Sequence, residues 1–210
     1  MSAYYIERAR REFAARDFPA ALESCRLAVE DAGAGADAWF LKATLELALG
    51  RAGEARESAA RATELEPGDA KGWYLLGNAE SDRGAREAAR DAYRRAVEIA
   101  PAWALALNRL GTVLFEMGDA AAAEGAFASA VGADPGHARA WNNLAHARIE
   151  QGRWVEAEDA LMRALKLQPD YDVALSNLAR VANARGDSAQ AAEYATVAER
   201  LRQLPSARDT

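Results

Sequence analysis

An all-α solenoid of repeated helical hairpins is the fold class this sequence predicts, on three observations. Landmark residues recur every 34 positions, apolar residues within each period follow helical spacing, and no alternating run bounded by turn residues marks a strand. Glycine recurs at Gly50, Gly84, Gly118, Gly152 and Gly186, and proline at Pro67, Pro101, Pro135 and Pro169. Alanine fills one column completely (Ala21, Ala55, Ala89, Ala123, Ala157, Ala191) and also a second (Ala28, Ala62, Ala96, Ala130, Ala164, Ala198). Six repeats fit without an insertion: residues 2–35, 36–69, 70–103, 104–137, 138–171 and 172–205, with 206–210 as a frayed tail. About a quarter of the chain is alanine, the strongest helix former, which suits close packing between helices.

Each repeat reads as helix, short turn, helix. In the fifth, Trp141, Leu144 and Ala145 share one helical face, and Gly152 ends a first helix at about Gln151. Ala157, Ala160, Leu161, Ala164, Leu165 and Leu167 mark a second helix, which Pro169 stops because it lacks an amide proton and disfavours helix in its predecessor. Six such units predict twelve antiparallel helices in one continuous domain whose repeats bury their faces on their neighbours. The segment Asp31 to Asp37 replaces the proline of later units. It reads either as a hinge or as a helix end, with Gly33 and Gly35 supplying positive φ.

The residues Trp73, Leu76, Gly77, Ala89, Tyr93 and Pro101 resemble the signature of the tetratricopeptide repeat (TPR) family, and the resemblance extends from Ser2 to about Pro205. It implies a right-handed superhelix whose first helices line a concave groove that binds protein partners. Three departures stand out. The family's mid-helix tyrosine is replaced by Glu12, Glu46, Glu80, Leu114, Arg148 and Ala182. Arg8 and Lys42 stand where later units have leucine, and Arg16 stands where a turn glycine is expected.

Composition narrows the function classes. A net charge of −6 argues against sequence-independent nucleic-acid binding, which needs a concentrated basic surface. Met1 to Arg16 is charged throughout, and no later run reaches about 18 apolar residues, so a cytoplasmic protein without membrane insertion is expected. Only three of the 26 basic residues are lysine, a bias expected of a GC-rich bacterial genome. Cys25 is the one cysteine and falls in a small-apolar column, where a buried hydrophobe is expected. His137 and His146 are the only histidines and lie on different faces, so neither a metal site nor a cofactor is expected. No phosphate-binding loop or nucleophile elbow is present, and the chain is not expected to be an enzyme.

The functional signal lies on the first helices. In the fifth repeat Arg139, Asn142, Asn143, His146 and Glu150 fall opposite Trp141, Leu144 and Ala145, and read as a solvated stripe outside the core. Along the same stripe, units one to three contribute Ile6, Phe40, Leu41, Lys71, Tyr74, Leu75 and Asn78. Units four to six contribute Asn108, Arg109, Arg139, Asn142, Asn143, His146, Ser176, Asn177 and Arg180. One half is apolar and aromatic, the other amide-rich and basic. The carboxylate clamp of chaperone-tail cochaperones is not met: Asn143 fits its middle position, but Asn108, Thr112, Val173 and Asn177 do not supply the flanking residues. The run NNLA at Asn142 to Ala145, with SNLA at Ser176 to Ala179, is similar to the asparagine ladder in the repeats of O-linked N-acetylglucosamine transferases. Asn143 and Asn177 match its column and Arg109 interrupts it, and only the binding mode carries over.

The expected function is therefore a protein-interaction module that holds an extended peptide or flexible segment, acidic by virtue of the arginines, in its groove. The alternative is a scaffold that self-associates through its terminal repeats, with Tyr194, Val197 and Leu201 as an apolar strip on the last helix.

Overall fold

The computed structural model describes residues 1–31 and 33–203. Among them are twelve α-helices and no strand. The helices are α1 (Ser2–Ala14), α2 (Phe18–Val29), α3 (Ala36–Ala48), α4 (Ala52–Leu65), α5 (Ala70–Asp82), α6 (Arg86–Ile99), α7 (Ala104–Glu116), α8 (Ala120–Ala133), α9 (Ala138–Glu150), α10 (Trp154–Leu167), α11 (Asp172–Ala184) and α12 (Ser188–Gln203). The odd-numbered helices start at Ser2, Ala36, Ala70, Ala104, Ala138 and Asp172, so the 34-residue register of the sequence is also the register of the hairpins. The tail expected at 206–210 lies outside the described residues.

Local chemistry sets the boundaries. Gly50, Gly84, Gly118, Gly152 and Gly186 all adopt positive φ at the turn inside a hairpin, and Arg16 holds the same place at φ 60°. The turn at Arg16 keeps the pattern of its glycine counterparts, with the Asp17 amide donating to the Glu12 carbonyl as the Arg51 amide donates to that of Glu46. At the far end of the second helices, Glu66, Ala100, Asp134 and Gln168 leave the helical conformation directly before a proline. The segment after α2 corrects one expectation. α2 already ends at Val29, and Gly35 has φ −78°, capping the start of α3 in an extended conformation instead of closing a helix with positive φ.

The helices group into two compact units, Met1–Pro101 with α1 to α6 and Ala102–Thr210 with α7 to α12. Within each, successive helices pack antiparallel, and first helices also touch the next first helix. Both alanine columns are buried in every repeat, because a larger side chain would hold the paired helices apart. Glycine goes further where an aromatic faces it. A Cβ on Gly77 would lie 2.5 Å from the Tyr93 ring, and one on Gly111 would lie 2.6 Å from that of Phe127.

The departures from the repeat pattern compensate one another. In the first unit Arg8 Nε donates to Glu12 Oε1 at 2.8 Å, and Ser24 Oγ donates to Glu12 Oε2 at 2.6 Å. One repeat on, Lys42 Nζ bonds Glu46 Oε1 at 2.7 Å and Ser58 Oγ at 2.8 Å, with Glu46 at 0% exposure. The unexpected cations thus partner the unexpected carboxylates one helical turn away. In the second unit Arg148 takes the tyrosine's place and bonds Glu124 on α8 at 2.9 Å, where Arg153, directly before α10, also bonds at 2.7 Å. Cys25 is buried at 0% exposure, as its column predicts, and burial pushes its thiol up to about 12. No helix among the described residues is long and apolar enough to cross a membrane.

Candidate functional site

The amide-rich stripe is not a solvated face. Asn108, Asn142 and Asn177 are buried, at 4%, 4% and 8% exposure, which corrects their expected placement outside the core. The reason lies across the helix interface. Asn143 Nδ2 donates to Asn108 Oδ1 at 3.0 Å, and Asn177 Nδ2 donates to Asn142 Oδ1 at 2.9 Å. Both bonds span 35 residues, one repeat plus one position, so each asparagine reaches the preceding first helix on a diagonal. Asn142 Nδ2 lies 3.5 Å from Asn143 Oδ1, at the outer limit of a hydrogen bond, and links the two pairs. A buried carboxamide needs such partners, and here it finds them on the chain itself.

What faces solvent beside these amides is a pair of adjoining pockets between α7 and α9. The larger, about 290 Å³, is lined by Leu105, Asn108, Arg109, Thr112, His137, Arg139 and Asn143. The smaller, about 160 Å³, is lined by Thr112, Phe115, Glu116, Phe127, Asn143 and His146. Thr112 and Asn143 belong to both. The Phe115 and His146 rings sit 4.6 Å apart, and Phe127 enters from α8 over Gly111, whose missing side chain leaves the ring its room. Burial, and then repulsion from Arg180, holds the His146 imidazole below its ordinary value, with Glu150 acting the other way. Arg139 also interacts with the Tyr171 hydroxyl, whose titration burial raises and Arg139 lowers. One pocket is thus cationic and hydrogen-bonding, the other aromatic.

Of the eleven residues marked in the sequence, Asn108, Arg109, Arg139, Asn143 and His146 come together here. Asn142 and Asn177 stand behind them in the relay. Arg180 turns instead to Glu150, its guanidinium 3.1 Å from that carboxylate. The remaining three lie in the first unit. Phe40 is half-buried against Ala43, Ala59 and Leu75, so the apolar half of the stripe packs on its neighbouring repeat. The Tyr74 ring packs tilted at 53° against that of Tyr93, with centroids 5.8 Å apart, and the Tyr93 hydroxyl donates to Asn78 at 2.7 Å.

Leu105, Thr112 and Glu116 were missed as site residues, although stepping back 34 positions from Arg139, His146 and Glu150 reaches them. Phe115 had no such signal, because its column holds the buried Ile149 in the next repeat. Among the described residues no three His, Cys, Asp or Glu are grouped to hold a metal ion.

Comparison with solved structures places the fold. The chain is similar to PilF of Pseudomonas aeruginosa, with TM-score 0.82 and 19% identity over 95% of this chain and 91% of that one. It is also similar to MamA of Desulfovibrio magneticus RS-1, with TM-score 0.73 and 23% identity over 80% of this chain and 95% of that one. A third is YrrB, described as a TPR protein with an unusual peptide-binding site, with TM-score 0.70 and 24% identity over 81% and 88%. No match was found among curated proteins. Models of the tetratricopeptide repeat match residues 6–70, 40–102 and 144–207 in one form and 114–170 in another. With the repeat matched over most of its length and the hairpins in register throughout, the chain belongs to the tetratricopeptide repeat family.

Proposed function

We propose that this protein is an interaction module whose second unit binds an extended, acidic peptide segment between α7 and α9. The observation that carries this reading is the pair of pockets sharing Thr112 and Asn143, one bearing Arg109 and Arg139 and the other walled by rings. A guanidinium recognises a carboxylate through charge-assisted, often bidentate hydrogen bonds. With its Nδ2 committed to Asn108, Asn143 offers its Oδ1 to a backbone amide, which holds main chain without reading sequence. The peptide-binding site named for the structurally similar YrrB supports the same class of ligand.

Selection from a random peptide display library tests this. The expected outcome is enrichment of Asp and Glu, lost when Arg109→Glu and Arg139→Glu are combined. Both positions are exposed, so the fold is expected to persist in the variant. Selected peptides that bind the double variant undiminished would contradict the proposal.

A second reading, self-association through α12, is favoured by one observation. α10 buries Ala160 and Leu161, whereas at the aligned positions Tyr194 is half-buried and Ala195 exposed, since no further helix follows α12 among the described residues. Light scattering across a concentration range tests it, with a dimer expected that Tyr194→Glu disperses. A monomer at every concentration would contradict it.

A further inference from the structure

We infer that the two pockets read alternate side chains of one extended strand, an acidic residue against Arg109 and Arg139 and, two residues away, an aromatic or branched apolar residue against Phe115, His146 and Phe127. The inference rests on the proposed peptide site and adds a motif to it.

Pocket size comes first. A cavity of about 150 Å³ lined by apolar side chains accommodates a benzene ring. The smaller pocket, at about 160 Å³ and open to solvent, is therefore large enough for one phenyl or leucyl group. Its walls are the Phe115 and His146 rings, 4.6 Å apart, with Phe127 behind them, a lining that favours an apolar or aromatic guest. The larger pocket has Arg109 and Arg139 on opposite helices and His137 at its edge, a lining that favours a carboxylate and its remaining water.

Spacing comes second. On α7 the lining residues of the two pockets are centred about six positions apart, roughly 9 Å at 1.5 Å per residue. On α9 the offset is about four positions, roughly 6 Å. Two residues of extended chain advance about 6.6 Å and return the side chain to the same face, whereas one or three residues point it away. Asn143, shared by both pockets, then stands opposite the intervening residue, where its Oδ1 accepts that residue's amide hydrogen.

Fluorescence anisotropy with labelled peptides in a serine and glycine background tests the spacing. Glu and Phe are placed one, two or three residues apart, in both orders. The account expects a two-residue spacing, in one of the orders, to bind at least about tenfold more tightly than either other spacing, and to lose that advantage when Phe becomes Ser. Exchanging Glu for Lys in the best peptide abolishes binding to the wild type, and Arg139→Glu restores it. Equal affinity at all spacings would overturn the motif while leaving the peptide site standing. Failure of every Glu-containing peptide, alongside normal binding of a library-selected peptide without acidic residues, would overturn the acidic-peptide reading itself.

Discussion

Asn177 donates a 2.9 Å hydrogen bond to Asn142, 35 residues earlier on the neighbouring first helix, and both side chains are buried. Asn143 stands in the same relation to Asn108 at 3.0 Å. A diagonal bond of this kind is satisfied in only one stacking register, because sliding one hairpin against the next would leave two buried amides unpaired. The amides that resemble a ligand-binding ladder are therefore spent largely on holding α7, α9 and α11 in line, and Asn108 and Asn143 are the members that still line a pocket.

Removing one partner of the buried pair is expected to cost more than removing both. Asn142→Ala strands the Asn177 amide and is expected to destabilise the protein by about 1–3 kcal/mol. Asn142→Leu with Asn177→Leu is expected to cost less than the sum of the single changes, measured by urea denaturation as a double-mutant cycle. Additive costs would mean that the bond contributes nothing of its own.

Lys42 and Glu46 behave similarly with larger stakes, since Glu46 is fully buried and its Oε2 has no hydrogen-bond partner. Lys42→Leu alone leaves an uncompensated carboxylate and is expected to cost about 3–5 kcal/mol. Combining it with Glu46→Leu reproduces Leu110 and Leu114 of the fourth repeat and is expected to recover most of that loss or exceed it. The midpoint of thermal unfolding reads the difference, and a double variant as unstable as the single one would contradict the pairing.

Arg16 occupies a left-handed conformation that the other five turns give to glycine. An L side chain there costs about 1–2 kcal/mol, part of which glycine returns as greater freedom in the unfolded chain. Arg16→Gly is expected to raise the unfolding free energy by about 1 kcal/mol, with no change in helicity. A loss of stability would show that the Arg16 side chain makes a stronger contact than the backbone conformation costs.

His146 gives stability a pH dependence near neutrality. Its folded value lies below 6.5, chiefly through burial and then through Arg180, so between the two values the unfolded chain binds more protons than the folded one. Stability therefore rises with pH through this window and falls as pH drops from about 6.5 through the folded value. His146→Gln is expected to flatten this part of the profile, and an unchanged slope would assign it to another group.

The hairpin register was legible because turn chemistry is local: a positive-φ glycine and a proline recur every 34 residues whatever surrounds them. The pairing of Arg8 with Glu12 and of Lys42 with Glu46 was also present as four-residue spacing, but it remained hidden while each residue was compared only with its own column. Burial of Asn108, Asn142 and Asn177 was not legible. A helical wheel says which residues share a face and nothing of what stands opposite, and here the opposite residue lies 35 positions away. Phe40 and Leu75 illustrate the same gap in the first unit, where their cluster packs an apolar counterpart of that diagonal.

Side-chain amide signals in a nuclear magnetic resonance titration test the central claim most directly, using the peptide with Glu and Phe two residues apart. The account predicts that Asn143 and the backbone amides of α7 and α9 around Arg109, Thr112, Arg139 and His146 shift on binding. The Asn142 and Asn177 side chains, already bonded to each other, are expected to move far less. Shifts confined to α8, α10 or α12, with Asn143 unmoved, would contradict it.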